Sequence, residues 1–383
     1  MLKRFEVENY RNFKNRLVLD FSDVAGYKFN EDCITEGCLG KLIIYGRNAT
    51  GKSNLCDAIE DVRSMRMSFR SRPDDVFFLN ADSEEKTAFF KYCFQFGENE
   101  VVYSYRKASE YQYTWERLEV NGETAFDFDV ENAAFNALDL SLIDANEMNT
   151  EVYLEGLMPS EDDEREPMPS FLFWLMNAGV FPPGSVMRKL GTAISGITVV
   201  DQSREPYYSR LMSSRIYSIL KDKAVLKDFE QFLNEMGIQC ELEIERLPDD
   251  SYQLYFVHDR RRIPFANTAS SGTLSLMRLY SRFIARTIRK PSIIIMDEFD
   301  AFYHYEMAEN VVRYFKKNMP QTQVIFTTHN TNLMSNHLMR PDCLLILSSD
   351  GRITPLMRAT SRELREGHNL EKMYIGGEFA DYE

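Results

Sequence analysis

The run Gly46-Arg47-Asn48-Ala49-Thr50-Gly51-Lys52-Ser53 has the form GxxxxGKS and follows the apolar stretch Leu42-Ile43-Ile44-Tyr45. A buried strand emptying through such a loop into a helix makes a phosphate-binding loop. Glycines at 46 and 51 permit a backbone that a Cβ would obstruct, so successive N–H groups turn inward toward phosphate oxygens. Lys52 supplies a cation for the β- and γ-phosphates, and Ser53 supplies a hydroxyl for Mg²⁺. The helix that follows turns its positive end toward the anion. Leu55, Ala58, Ile59, Val62 and Met65 recur at helical spacing and predict that helix.

A second apolar strand, Ser292-Ile293-Ile294-Ile295-Met296, empties into Asp297 and Glu298. Two carboxylates at the C-terminal edge of a sheet, beside a phosphate loop, have distinct uses. Asp297 is placed to hold Mg²⁺ directly or through water, and Glu298 to act as the base or water-orienting group for attack on a γ-phosphate. Taken alone, the pair also reads as a buried strand capped by solvated acids. Thr268-Ala269-Ser270-Ser271-Gly272-Thr273-Leu274 opens a helix with small hydroxylated residues. It reads as an anion site or as a plain N-cap by Ser270 or Ser271. Phe326-Thr327-Thr328-His329-Asn330 ends a strand in a histidine that can contact a γ-phosphate or serve only the fold. Asp300-Ala301-Phe302-Tyr303-His304 follows the acidic pair as a short loop.

The elements that must position these residues are legible in outline. Residues 1–21 read as two strands joined by a polar turn. Over 88–118, Phe90, Tyr92, Phe94 and Phe96, then Val101, Tyr103 and Tyr105, alternate around a turn at Gly97-Glu98-Asn99, which predicts an antiparallel meander. The stretch from 125 to 240 changes character. It holds the acidic patch Glu161-Asp162-Asp163-Glu164 and a helical pattern over 204–236. From about 240, alternation at Leu242 and Ile244 and at Tyr252, Leu254 and Phe256 precedes a helix (Leu274 to Ile288). A strand (Ile293 to Met296), a helix (about 305–317) and a strand (Val324 to Phe326) follow. This order implies a parallel sheet covered by helices. The expected plan is an α/β head in which 1–124 and 241–383 form one domain, interrupted by a mostly helical insertion at 125–240.

Composition narrows the partners. Net charge is −14, which argues against a broad basic nucleic-acid surface, although 45 Lys and Arg allow a local one. Six scattered cysteines with no CxxC argue against a disulfide framework or zinc site and suit a cytoplasmic protein. Neither a signal peptide nor an apolar run of the roughly 20 residues needed to cross a membrane is visible, so no membrane association is expected.

The sequential order of these elements resembles that of the ATP-binding-cassette ATPases, in particular the RecF/SMC-like branch that includes AAA-type proteins of the OLD and abortive-infection kind. The opening Leu2-Lys3-Arg4-Phe5-Glu6-Val7-Glu8-Asn9-Tyr10-Arg11-Asn12-Phe13 and the later Gly367-His368-Asn369-Leu370-Glu371-Lys372-Met373-Tyr374 share this likeness. The resemblance implies a parallel-sheet P-loop core with an antiparallel β subdomain, and two subunits that sandwich two ATP molecules. Gly46 through Ser53, with Asn54, would surround the nucleotide. Ser270, Ser271, Gly272 and Thr273 would reach ATP held by the other subunit, His329 would be the switch histidine, and 300–304 the inter-subunit loop. Lys52, Glu298 and His329 would carry hydrolysis, and Ser53 and Asp297 would hold Mg²⁺. The chain departs from transport cassettes in reading Ser-Ser-Gly-Thr-Leu where they have Leu-Ser-Gly-Gly-Gln. It also has Phe299 after Glu298 where many have proline, and its only candidate for the Gln loop, Gln95, lies inside a predicted strand.

OLD-type relatives append a nuclease domain, but only 54 residues follow His329 here, fewer than the ~100 of a typical domain. The expectation is therefore an ATPase that senses or scaffolds in an anti-phage or toxin–antitoxin-like system, self-associates, binds DNA weakly at most, and holds or releases a separate nuclease or toxin. The alternatives are a RecF-like DNA-repair ATPase that clamps DNA, and an assembly module whose turnover is incidental.

Overall fold

Three apolar runs far apart in sequence, 41–45, 323–328 and 293–297, pair side by side as parallel strands. The computed structural model describes residues 1–64, 77–157, 169–201, 216–284 and 291–383. The core sheet runs in the order Ile197–Asp201, Ile293–Asp297, Gln323–Thr328, Lys41–Tyr45, Leu344–Leu347 and Ile353–Pro355, with only the last strand antiparallel. The three central strands are buried at every position, as a sheet covered on both faces requires. Because they are parallel, the phosphate loop, the acidic pair and His329 all leave the same edge. The acidic strand is not the immediate neighbour of the phosphate-loop strand, because the strand that ends in His329 lies between them. Its Thr327 and Thr328 pair with Ile44 and Tyr45.

The second sheet is an antiparallel meander of seven strands, in the order Ala134–Leu138, Glu123–Asp129, Gln112–Val120, Asn99–Ser109, Ala88–Phe96, Leu2–Glu8 and Leu17–Asp20. The alternating aromatics behave as their spacing predicts. Phe90, Tyr92, Phe94, Tyr103 and Tyr105 are buried, and the Phe90 and Tyr105 rings stack with centroids 5.0 Å apart. This layer packs on the helix Lys52–Ser64, whose Leu55, Ala58, Ile59 and Val62 are buried. Tyr92 OH donates to the Ala58 carbonyl at 2.7 Å and accepts from the Val62 N–H at 3.3 Å. Tyr105 OH donates to Asp61 Oδ2 at 2.7 Å. Lys107 Nζ, fully buried, donates to both Asp61 oxygens at 2.8 and 3.0 Å. The helix that carries the phosphate loop is thus clamped to the meander by a buried, hydrogen-bonded ion pair.

The span 125–240 differs from the expected helical insertion at its start and in its middle. Residues 134–138 close the meander, and Ile197–Asp201 joins the core sheet, pairing Val199 with Ile295 and Asp201 with Asp297. The β-branched run Ile-Thr-Val-Val suits a strand, but its place in the sheet is set by a partner almost a hundred residues away. Between them lie the helices Glu151–Leu157, Phe171–Ala178 and Val186–Ser195, and after them Lys223–Glu235. Glu116, buried in the meander, accepts from the N–H groups of Phe171 and Leu172 at 2.7 and 3.3 Å and so caps the helix Phe171–Ala178. Burial pushes the Glu116 carboxyl up to about 7.

The helix expected from Leu274 starts earlier, at Ser271, runs to Leu279 and passes into a π turn at Tyr280–Ile284. Met65, the acidic patch 161–164, residues 204–215 of the expected 204–236 helix and the end of the Leu274–Ile288 helix lie outside the described residues. Among the described residues, no helix is long and apolar enough to cross a membrane.

Replacing Lys107 by Met should strand the Asp61 charge beneath the meander. Breaking a buried pair from one side costs about 3–5 kcal/mol. Denaturant unfolding that leaves the midpoint unchanged would show that the pair does not clamp the helix.

Candidate nucleotide site

The phosphate loop has a cradle that side chains would fill. A Cβ on Gly46 would lie 2.5 Å from Thr50 Oγ1 and 3.1 Å from the Leu347 carbonyl. Gly51 has φ +100° and Ala49 φ +68°, left-handed values that fold the loop back toward the helix. Thr50 Oγ1 donates to the Arg47 carbonyl at 3.0 Å. Lys52 Nζ donates to the carbonyls of Gly46 at 2.8 Å and Arg47 at 3.1 Å, closing the loop around its ammonium. Burial holds the Lys52 ammonium below its ordinary pKa, and Glu298 and Asp297 offset this in part. The acidic pair and the phosphate loop therefore meet electrostatically in one site. The first N–H groups of a helix lack partners within it, which leaves a helix start open to an anion.

The acidic pair hangs on the middle strand. Asp297 is buried, and its Oδ1 accepts from Thr327 Oγ1 at 2.5 Å, with the Cys56 thiol at 3.7 Å. The Glu298 N–H donates to the same Thr327 hydroxyl at 2.9 Å, and the Phe299 N–H donates to the Thr327 carbonyl at 3.2 Å. Glu298 itself has φ +45°, so the chain turns sharply at the second acid. The role of Thr327 is not announced by the sequence, whose one signal for it is a polar pair at the end of an otherwise apolar strand, beside the histidine.

The residues fit ATP with Mg²⁺. Mg²⁺ is commonly bound by one or two carboxylates plus substrate phosphates, and Asp297 stands at the sheet edge where the phosphate loop begins. The cradle at Gly46 and the cation at Lys52 fit a polyphosphate, and the Ser53 hydroxyl and Asp297 fit its metal.

The family described as "AAA domain, putative AbiEii toxin, Type IV TA system" matches residues 42–335, which contain all of these groups. The chain belongs to this family. Solved structures similar to it include the SMC head domain from Thermotoga maritima, at 18% identity and TM-score 0.47, covering 92% of this chain and 98% of that one. Another is an Smc head domain with an extended coiled coil, derived from Pyrococcus furiosus and bound to the C-terminal domain of ScpA, at 13% identity and TM-score 0.46, covering 92% and 95%. No curated protein matches.

Asn54 and the loop are braced by the turn after the first strand. Arg11 donates to Asp57 Oδ2 at 2.5 Å and to Asn54 Oδ1 at 3.1 Å, Asn12 Nδ2 donates to the Ala49 carbonyl at 3.4 Å, and Asn54 Nδ2 donates to Asn12 Oδ1. Arg47 projects outward and pairs with Glu383, a contact that no sequence pattern announces. Asn48 belongs to the exposed turn of the loop. Gln95, the weak Gln-loop candidate, serves the opposite end of the meander, accepting from Lys3 Nζ at 3.2 Å.

Ser270–Thr273 pack on the loop after the acidic pair. Ser270 Oγ accepts from the Thr273 N–H at 3.2 Å, so Ser270 is the N-cap, while Ser271 is exposed at the helix start. Ser275 and Tyr303 share a hydrogen bond of 2.8 Å. A Cβ on Gly272 would stand 2.8 Å from the Phe302 carbonyl, so this glycine sets how closely the helix start meets the 300–304 loop. His329 is exposed, one residue past its strand. Gly272→Ala should therefore displace that loop and lower the melting temperature. Stability and hydrogen exchange at 299–304 equal to the wild type would remove the close-approach role.

Proposed function

We propose that this AAA-domain protein binds ATP with Mg²⁺, hydrolyses it at composite sites between two copies of itself, and uses the cycle to hold or release a separate effector protein in an anti-phage system of the abortive-infection or toxin–antitoxin-like kind. The observation that carries the ATPase reading is the meeting of Lys52, Asp297 and Glu298 at one edge of the parallel sheet, where the strands 41–45, 323–328 and 293–297 end side by side. In this reading Lys52 leaves the loop carbonyls for the β- and γ-phosphates. Ser53 and Asp297 hold Mg²⁺, which when bound neutralises charge on the phosphates. Glu298 orients the attacking water or takes its proton. Ser271 and Gly272 complete the site of the second copy, and His329, exposed at the same edge, senses the γ-phosphate.

The charge of −14 supports an output through protein rather than DNA. The helices of 151–235 support a docking surface there, since such additions to a common core tend to carry particular function. Slow turnover is compatible with this role, because ATP need only favour one state of the assembly.

Two variants test the reading. Lys52→Ala should abolish tight ATP binding in calorimetry. Glu298→Gln should keep binding and lose about 10²–10⁴-fold in hydrolysis, the usual worth of general-base catalysis, and should accumulate as an ATP-bound dimer or larger assembly. Unaltered affinity in the first, or wild-type turnover in the second, contradicts the assignment. Purified protein that cuts DNA with Mg²⁺ would contradict the need for a separate effector.

A further inference from the structure

We infer that Thr327 is a positioning residue for ATP hydrolysis: its one hydroxyl fixes both acids of the site, selecting which Asp297 oxygen is left for the metal and setting the turn that aims Glu298. The inference rests on the nucleotide reading above and concerns a residue outside the phosphate loop, the acidic pair and the switch histidine.

A threonine hydroxyl has one donor and two acceptor positions. Here the donor goes to Asp297 Oδ1 at 2.5 Å, and an acceptor position takes the Glu298 N–H at 2.9 Å. The Cys56 thiol also addresses Oδ1, at 3.7 Å. Oδ1 is therefore engaged from two sides, and Oδ2 is the oxygen left for a cation. Hydrogen bonds to an ionised acceptor are among the stronger ones, and this one lies where Thr327 is fully buried.

The second half of the argument is backbone geometry. Glu298 sits at φ +45°, a region that residues with a Cβ enter only when their surroundings hold them there. Thr327 provides two of the restraints, through its hydroxyl to the Glu298 N–H and its carbonyl to the Phe299 N–H at 3.2 Å. A third is the Ala301 N–H, which donates to the Glu298 carbonyl at 3.0 Å. Valine would fill the same space in this apolar strand without burying a polar group, so packing alone does not call for the hydroxyl. Thr328 makes the contrast: its hydroxyl accepts from the Asn330 N–H at 2.9 Å, a local turn bond away from the acids.

Outer-shell partners of a metal ligand typically govern 10–100-fold in metal affinity or activity, so Thr327→Val should weaken binding by roughly that factor. The test measures Mn²⁺ affinity by electron paramagnetic resonance on full-length protein saturated with a non-hydrolysable ATP analogue, alongside steady-state ATPase kinetics. Thr327→Val should lower both Mn²⁺ affinity and kcat while KM for ATP changes little, and Thr327→Ser should restore both. Should the Val protein fail to fold, Thr327→Ala takes its place in the same comparison. A purely structural threonine would lower melting temperature and leave the Mn²⁺ midpoint and kcat per folded site unchanged. That result, or a Ser variant as impaired as Val, overturns the inference while the ATPase reading stands. A wild-type protein that binds no ATP analogue overturns both.

Discussion

Parallel pairing of 41–45, 323–328 and 293–297 is the constraint on which the site depends. Each strand is buried along its whole length, so whatever polar group the chain must expose waits until the strand ends. Parallel direction makes all three endings fall on one edge. The phosphate loop, the His329 turn and the acidic pair are therefore neighbours by topology, before any side chain chooses a partner. The middle strand matters most, because it touches both others. Its Thr327 reaches the acidic pair on one side while the backbone of the same residue pairs with Ile44, two residues before the loop glycine, on the other.

The second constraint is the clamp on the helix that follows the loop. Lys107 and Asp61 are both buried, and such a pair resists separation because either charge left alone would be poorly solvated. Arg11 adds a half-exposed link from the turn after the first strand to Asp57 on the same helix. The loop, its helix and the antiparallel meander are therefore tied into one packed unit, which Glu116 extends to the helix Phe171–Ala178.

Local chemistry was legible in the sequence, and long-range pairing was not. GxxxxGKS and the Ile-Ile-Ile-Met-Asp-Glu run each announce themselves, since the residue types have few other uses in that order. The aromatic alternation at 90–105 gives the meander for the same reason. Strand order is different. Ile197–Asp201 and Ile293–Asp297 look alike locally, and nothing within either run tells that they pair, so the sequence alone leaves 197–201 inside the span 125–240 with the helices. The role of Thr327 needs the same long-range knowledge, because a threonine at a strand end is ordinary until an aspartate from the next strand lies within hydrogen-bond reach. Gly272 reads as a helix-start residue, and only the Phe302 carbonyl beside it reveals a packing requirement. The Arg47–Glu383 pair joins positions over three hundred residues apart, beyond any periodicity.

The account's central claim is that the exposed helix start at Ser271 completes the nucleotide site of a second copy. Mixing two inactive proteins tests it most directly: Lys52→Ala, with a dead phosphate loop, and Ser271→Arg, which adds bulk at an exposed position and avoids the tight contact at Gly272. A mixed dimer has one site with both halves damaged and one with both halves intact. The account predicts that the mixture recovers ATPase activity in proportion to the mixed dimers detected by native mass spectrometry. Mixed dimers that form and remain as inactive as their parents would contradict it.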